Sequence, residues 1–173
     1  RKLIELIKED LLHSYAYANK IKLKYIKKLI SMTNGDFEKV FLLSAGTEAT
    51  EAALKLMRLY GQSIKKKKLG LICFEGNWHG RTMGAQLMSG NENQKKWIGQ
   101  KDKNIFHLPF PYPWVLEKQK KTPEEFLLDS FKKFKNKFDL SKDICGVMLE
   151  TFQGWGALFY PKSYIKLLNK ICK

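Results

Sequence analysis

A chain of 173 residues, 44% hydrophobic and 13% aromatic, carries enough apolar side chain for one domain with a packed core. That composition excludes a disordered polymer, and no apolar run approaches the ~20 residues needed to cross a bilayer. The formal charge of +15 admits a nucleic-acid partner, but the excess is mostly scattered lysine. Its one run is Lys65–Lys68, and neither an RNA-binding aromatic motif nor zinc-finger spacing accompanies it. Solvated faces account for the charge, with a basic nucleic-acid-binding module as the remote alternative. Cys73, Cys145 and Cys172 lack metal-type spacing and cannot all pair within one chain, so reduced thiols in a cytoplasmic protein are expected. No signal peptide is recognisable at the N-terminus. The absence of a starting Met suggests preceding sequence.

In chain order, Leu3, Ile4, Ile7 and Leu11 fit the end of an amphipathic helix broken near Leu12-His13-Ser14. A second helix is expected from about Ala18 to Met32, with Ile26, Leu29 and Ile30 inward and Asn34-Gly35 ending it. Val40 to Leu43 reads as a buried strand. A helix follows from Thr47 to about Tyr60, with Ala49, Ala52, Ala53, Leu56 and Tyr60 on one face and Gly61 as its stop. Leu69 to Phe74 is a second short apolar strand, which would make a βαβ unit with parallel strands. A short helix covers Thr82 to Met88 and a short strand Asn104 to Leu108. The proline-rich stretch Pro109 to Trp114 cannot be regular structure. Thr122-Pro123-Glu124-Glu125 starts a helix whose Leu127, Phe131, Phe134 and Phe138 form a core stripe. Ile144 to Glu150 is a third buried strand, Thr151 to Gly156 a loop, and Pro161 opens a last helix through Ile165, Leu168 and Ile171.

The stretch from Leu42 to Lys55 organises this pattern. An apolar run stops at Ser44-Ala45-Gly46, and a strongly helical sequence begins. Such a turn presents free backbone N–H groups to an anion. Gly46 permits close approach, and the Thr47 hydroxyl can cap the helix or donate to a phosphate oxygen. Two further loops, Asn77 to Thr82 and Glu150 to Gly156, follow apolar strands, and ligands bind at the carboxyl ends of strands in open α/β sheets. If the strands share a sheet, the three loops converge.

Taken together, Ser44-Ala45-Gly46-Thr47-Glu48-Ala49 with Ala52 to Arg58, Gly76-Asn77-Trp78-His79-Gly80-Arg81-Thr82, and Glu150-Thr151-Phe152-Gln153-Gly154 resemble the class III (ω-type) aminotransferases. These are pyridoxal 5′-phosphate enzymes of fold type I. The resemblance runs from about His13 to Lys173. It implies an α/β fold, a three-layer sandwich with a mostly parallel sheet, of which residues 1–173 are a partial cofactor-binding large domain. It also implies that Gly46 and Thr47 hold the cofactor phosphate, that Trp78 stacks on the pyridine ring, and that His79 lines the pocket. Gly80 would allow the close turn and Arg81 would brace the loop. Glu150 would hydrogen-bond groups around the cofactor or substrate, a structural salt bridge being the competing reading. Gln153 is placed on the substrate side.

The sequence departs from the family pattern at Trp155, which stands where many members have a second glutamate. A glutamate gate is thereby put in doubt, and a bulkier or more apolar substrate becomes possible. The family places the Asp that pairs with the pyridine nitrogen, and the Schiff-base Lys, beyond Lys173. No catalytic residue is therefore expected within this chain, which reads as an inactive interior fragment. The whole enzyme would move an amino group from an amine or amino acid to a 2-oxo acid through pyridoxamine phosphate, as a homodimer. An aminomutase, a decarboxylating transaminase or a racemase of the same fold is the alternative. Neither a metal nor a membrane is implied.

Overall fold

The computed structural model describes residues 1–9 and 17–173, which divide into two units, Arg1–Leu42 and Leu43–Lys173. The expected helix break at Leu12-His13-Ser14, and Leu11 before it, lie outside the described residues.

The first unit holds α1 (Lys2–Lys8) and α2 (Lys20–Ser31). The Asn19 side chain accepts the N–H of Lys22 at 2.8 Å and so caps the start of α2. Ile26, Leu29 and Ile30 are the half-buried positions expected of its inward face. Asn34 and Gly35 both adopt left-handed backbone, φ 51° and 89°, just past the helix end. Residues 40–43 are not a strand: Phe41 is 71% exposed, and nothing in the described sheets pairs with them. An apolar run marks a wish for burial, but a strand forms only where a neighbouring edge accepts its hydrogen bonds. The expected βαβ unit across residues 40–74 is therefore not formed.

The second unit starts with α3 (Gly46–Ser63), followed by β1 (Gly70–Phe74) and α4 (Met83–Met88). A 3₁₀ segment (Glu92–Ile98) leads to β2 (Ile105–Leu108), α5 (Pro113–Gln119) and α6 (Pro123–Phe134). The short α7 (Leu140–Asp143) runs into β3 (Ile144–Val147). A hairpin of β4 (Phe152–Gln153) and β5 (Leu158–Phe159) then precedes α8 (Lys162–Cys172). The main sheet has order β2-β1-β3 and is parallel throughout.

β1 is buried along its whole length because helices cover both faces. Its alternate residues divide between two cores. Leu71 and Cys73 meet Met88, Leu54 and Met57 on the α3/α4 side. Ile72 and Phe74 meet Leu127, Tyr164 and Leu168 on the α6/α8 side. The result is the expected three-layer α/β sandwich. The α6 stripe is core as read: Leu127 and Phe138 are buried, and Phe131 and Phe134 pack against them. Thr122 and Glu125 form a complete capping box.

Four expectations are corrected here. Pro113 does not break structure but opens α5 at its first turn, where a missing N–H costs nothing. The segment from Thr151 to Gly156 is not simply a loop, since Phe152 and Gln153 pair antiparallel with Phe159 and Leu158. Of the expected α3 face only Ala52 and Ala53 are half-buried; Ala49, Leu56 and Tyr60 turn outward, the last two 56% and 60% exposed, while Leu54 and Met57 pack inward. Gly61 does not stop α3 but lies inside it, because a Cβ there would come 2.5 Å from Cys145 Cβ and 3.0 Å from Leu69 Cδ2. Helix propensity alone predicts that Gly61→Ala stabilises by about 1 kcal/mol. Overpacking reverses the sign, and a net loss of about 1–2 kcal/mol in urea unfolding is expected.

The lysine run joins β1 to the α7 region. Lys66 Nζ donates to the Ser141 carbonyl, Lys67 N–H donates to the Lys142 carbonyl at 2.8 Å, and Lys68 Nζ pairs with Asp143 at 2.8 Å. The three cysteines are unpaired, and burial pushes the Cys73 thiol up to about 12. Among the described residues no helix is long and apolar enough to cross a membrane.

Candidate active site

Three parallel strands end on one edge, and the segments that leave them gather there. From β1 comes the turn Glu75–Thr82, from β2 the aromatic stretch Phe110–Trp114, and from β3 the residues leading to Glu150 and the hairpin. The Trp78 N–H donates to Glu150 Oε2 at 3.0 Å, which joins the first and third of these. The N-terminus of α3 joins from the side: Thr50 Oγ1 lies 2.6 Å from the His79 carbonyl. Gly80 makes that approach possible, with φ +136° and a would-be Cβ only 2.6 Å from Thr47 Oγ1.

Trp78 keeps 37% of its surface exposed, and the Arg81 guanidinium lies 5.4 Å from its ring centroid, a bracing cation–π contact. The ring borders a cleft of about 510 Å³ lined also by Tyr112, Glu150, Gly154, Trp155 and residues 91–94. Glu150 has no ion pair among the described residues, so the salt-bridge alternative is not realised. Burial raises the pKa of its carboxyl, and the N–H groups of Trp78 and Gly154 oppose that rise.

Gly46 and Thr47 form the first turn of α3, whose opening N–H groups have no intrahelical acceptor. Thr47 does not cap the helix. Ala45 holds the N-cap position without a side-chain bond, and the Glu48 carboxylate reaches back to the Ser44 N–H at 3.0 Å. A Cβ on Gly46 would meet nothing within 4 Å, so the space before this turn is open.

His79 is 4% exposed and is not among the residues that border the cleft. Its N–H donates to Ser89 Oγ at 2.9 Å, while Nε2 is buried without a partner among the described residues. Burial, with a smaller contribution from His107, pushes its pKa down to about 4 from an ordinary 6.5. The fold therefore favours neutral imidazole. This stabilisation is complete above the unfolded value near 6.5 and is lost as pH falls towards 4. The pKa of His107 is lowered by burial too, so it changes stability with pH in the same direction. The urea midpoint is expected to fall over this interval, and His79→Gln should make the decline shallower.

Gln153 also lies behind the cleft wall, fully buried, where Nε2 donates to the Glu75 carbonyl at 3.2 Å and to Tyr112 Oη at 3.1 Å. Trp155, 71% exposed, stands on the cleft rim. Two of the lining residues that were given no role from the sequence are Asn77, inside the motif, and Tyr112, in the proline-rich stretch. Asn77 is buried and donates to Tyr160 Oη at 3.2 Å, and Tyr112 stacks on Trp114 at 4.6 Å. The rule that selected the other loops, attention to the carboxyl ends of strands, would have found Tyr112 behind β2.

A parallel three-layer α/β unit with this edge cleft matches known proteins throughout. The class-III aminotransferase family profile covers residues 2–173, and the chain belongs to that family. It is 33% identical over 167 residues to the mitochondrial acetylornithine aminotransferase of Candida glabrata, covering 92% of this chain and 35% of that protein. It is 32% identical to the adenosylmethionine-8-amino-7-oxononanoate aminotransferase of Buchnera aphidicola, covering 85% and 33%. Among solved structures, a PLP-bound amine transaminase from an uncultivated Pseudomonas species superposes with TM-score 0.80 at 22% identity, covering 99% of this chain and 40% of that one. A transaminase from the marine bacterium Virgibacillus superposes with TM-score 0.82 at 20% identity, covering 98% and 37%. The fold is thus that of the transaminases. The chain spans about a third of the length of the curated relatives it matches.

Proposed function

We propose that residues 1–173 are part of the cofactor-binding large domain of a pyridoxal-phosphate-dependent aminotransferase. It would transfer an amino group from an amine or amino acid to a 2-oxo acid and act as a homodimer. The observation that carries this reading is the pair of hydrogen bonds, Thr50 to the His79 carbonyl and Trp78 N–H to Glu150, that brings three separate segments to one place.

The residues present fit the cofactor. The first turn of α3 at Gly46 and Thr47 offers N–H donors and the positive end of an 18-residue helix to a phosphate, with open space in front of it. Trp78 offers a flat, braced aromatic face to a pyridine ring. Glu150 fixes the Trp78 backbone and leaves on the cleft wall a carboxylate with no cationic partner among the described residues. His79, neutral at physiological pH, supports the pocket from behind. Gln153 braces the Glu75 turn against Tyr112, and Trp155 borders the substrate side with an apolar ring. Pyridoxal phosphate, when bound, supplies the electron sink that makes bonds at an amine carbon labile. The unpaired cysteines favour a reducing compartment, the cytoplasm in this reading.

Titration of the native polypeptide that carries this chain with pyridoxal phosphate tests the proposal. Saturable quenching of tryptophan fluorescence with one equivalent bound per chain is the expected result. Absence of saturable binding would refute it.

A further inference from the structure

We infer that Thr50 and Glu51 are positioning residues that hold the phosphate-binding turn of α3 in register with the ring-stacking loop, an inference that rests on the cofactor reading above. Neither residue faces the cleft. Both lie one turn into α3, and each reaches across to the segment that follows β1.

Thr50 shares its single hydroxyl proton between two carbonyls, 2.6 Å from His79 O and 2.8 Å from Thr47 O. It therefore touches the residue next to Trp78 and one of the two phosphate-cup residues at once. A helix-internal threonine ordinarily bonds only its own preceding turn. Here the shorter contact leaves the helix.

Glu51 caps a different helix from its own. The N-terminus of α4 has no side-chain cap, since Thr82 does not bond its own first turn. Glu51 Oε1 instead accepts the Ala85 N–H at 2.9 Å and the Thr82 hydroxyl. A carboxylate at a helix N-terminus suits the helix dipole, so a charged residue of α3 fixes where α4 begins. The glycines between the partners fit this contact. A Cβ at Gly84 would strike the Glu51 carboxylate and come 2.7 Å from Leu54 Cδ2, and one at Gly80 would lie 3.0 Å from Ala85 Cβ.

The segment from His79 to Ala85 is thus bound to α3 at both of its ends. The register this sets is the distance between the N–H groups of Gly46 and Thr47 and the face of Trp78. A ligand with a phosphate at one end and an aromatic ring at the other gains from that register only if it engages both. Each half alone does not need it.

The experiment compares three probes on the native polypeptide and its variants: pyridoxal phosphate, pyridoxal and inorganic phosphate, each titrated by tryptophan fluorescence. Thr50→Val keeps size and helix compatibility but removes the proton. It is expected to weaken pyridoxal phosphate binding about tenfold, while the affinities for pyridoxal and inorganic phosphate stay within about twofold. Thr50→Ser should restore the wild-type value. Glu51→Gln, which keeps an acceptor for Ala85, should lie between them. Wild-type affinity in Thr50→Val would overturn the inference, and so would an equal loss for all three probes, which marks a residue that only holds the fold. Failure of wild type to bind pyridoxal phosphate would remove the cofactor reading and this inference with it. Loss of the Thr50→Val contrast alone would leave that reading standing.

Discussion

Replacing Trp78 by alanine is expected to weaken pyridoxal phosphate binding by about 2–3 kcal/mol, roughly 30- to 150-fold, the range for losing one large aromatic contact. The indole is 37% exposed, its backbone N–H is held on Glu150 and Arg81 lies over its ring, so little freedom remains to be lost when a flat ligand arrives. Trp78→Phe keeps a flat face at the same backbone position and should lose only a few-fold. The ring is not part of either core cluster, so the melting temperature of Trp78→Ala should stay close to that of wild type. Fluorescence from the remaining tryptophans reports the titration.

The second large effect belongs to a residue that makes no contact through a side chain. Gly90 N–H donates to the Asn77 carbonyl at 2.7 Å, and its own carbonyl accepts from the Gly76 N–H at 3.4 Å. A Cβ at Gly90 would stand 2.3 Å from both the Gly76 nitrogen and the Phe74 oxygen. Those neighbours are backbone of a buried strand end and cannot swing aside as a side chain would. Gly90→Ala is therefore expected to cost about 3 kcal/mol or more in urea unfolding and to displace the turn that carries Trp78. Cofactor affinity should fall with stability, whereas Trp78→Ala separates the two.

These two residues also mark what the sequence made legible. Trp78 stood out because its neighbours form a motif at the end of an apolar strand. Gly90 carried no such signal, since its role depends on a turn fourteen residues earlier in the chain. The same division runs through the fold. The capping box at Thr122 and Glu125, the α6 stripe and β1 were readable because local spacing dictates them. Residues 40–43 were misread as a strand because composition reports apolarity and not the presence of a pairing edge. Gly61 was misread as a helix stop because only the packing of Cys145 against α3 explains a glycine inside a helix. Of the candidate site, the positions of the turn at Gly46, the ring at Trp78 and the carboxylate at Glu150 beside one another were legible from the loops that carry them. The buried places of His79 and Gln153 were not, since a polar residue's side of a loop wall is set by partners such as Ser89 and Tyr112 that are distant in sequence.

The measurement that tests the central claim most directly is a half-reaction on the native polypeptide loaded with pyridoxal phosphate. An amino donor is added with no 2-oxo acid present, and carbonyl product and cofactor form are followed together. One equivalent of carbonyl product per bound cofactor, with conversion to pyridoxamine phosphate and no further turnover until a 2-oxo acid is supplied, is the predicted result. Continued turnover without an acceptor would contradict amino transfer and point to a mutase or racemase built on the same site.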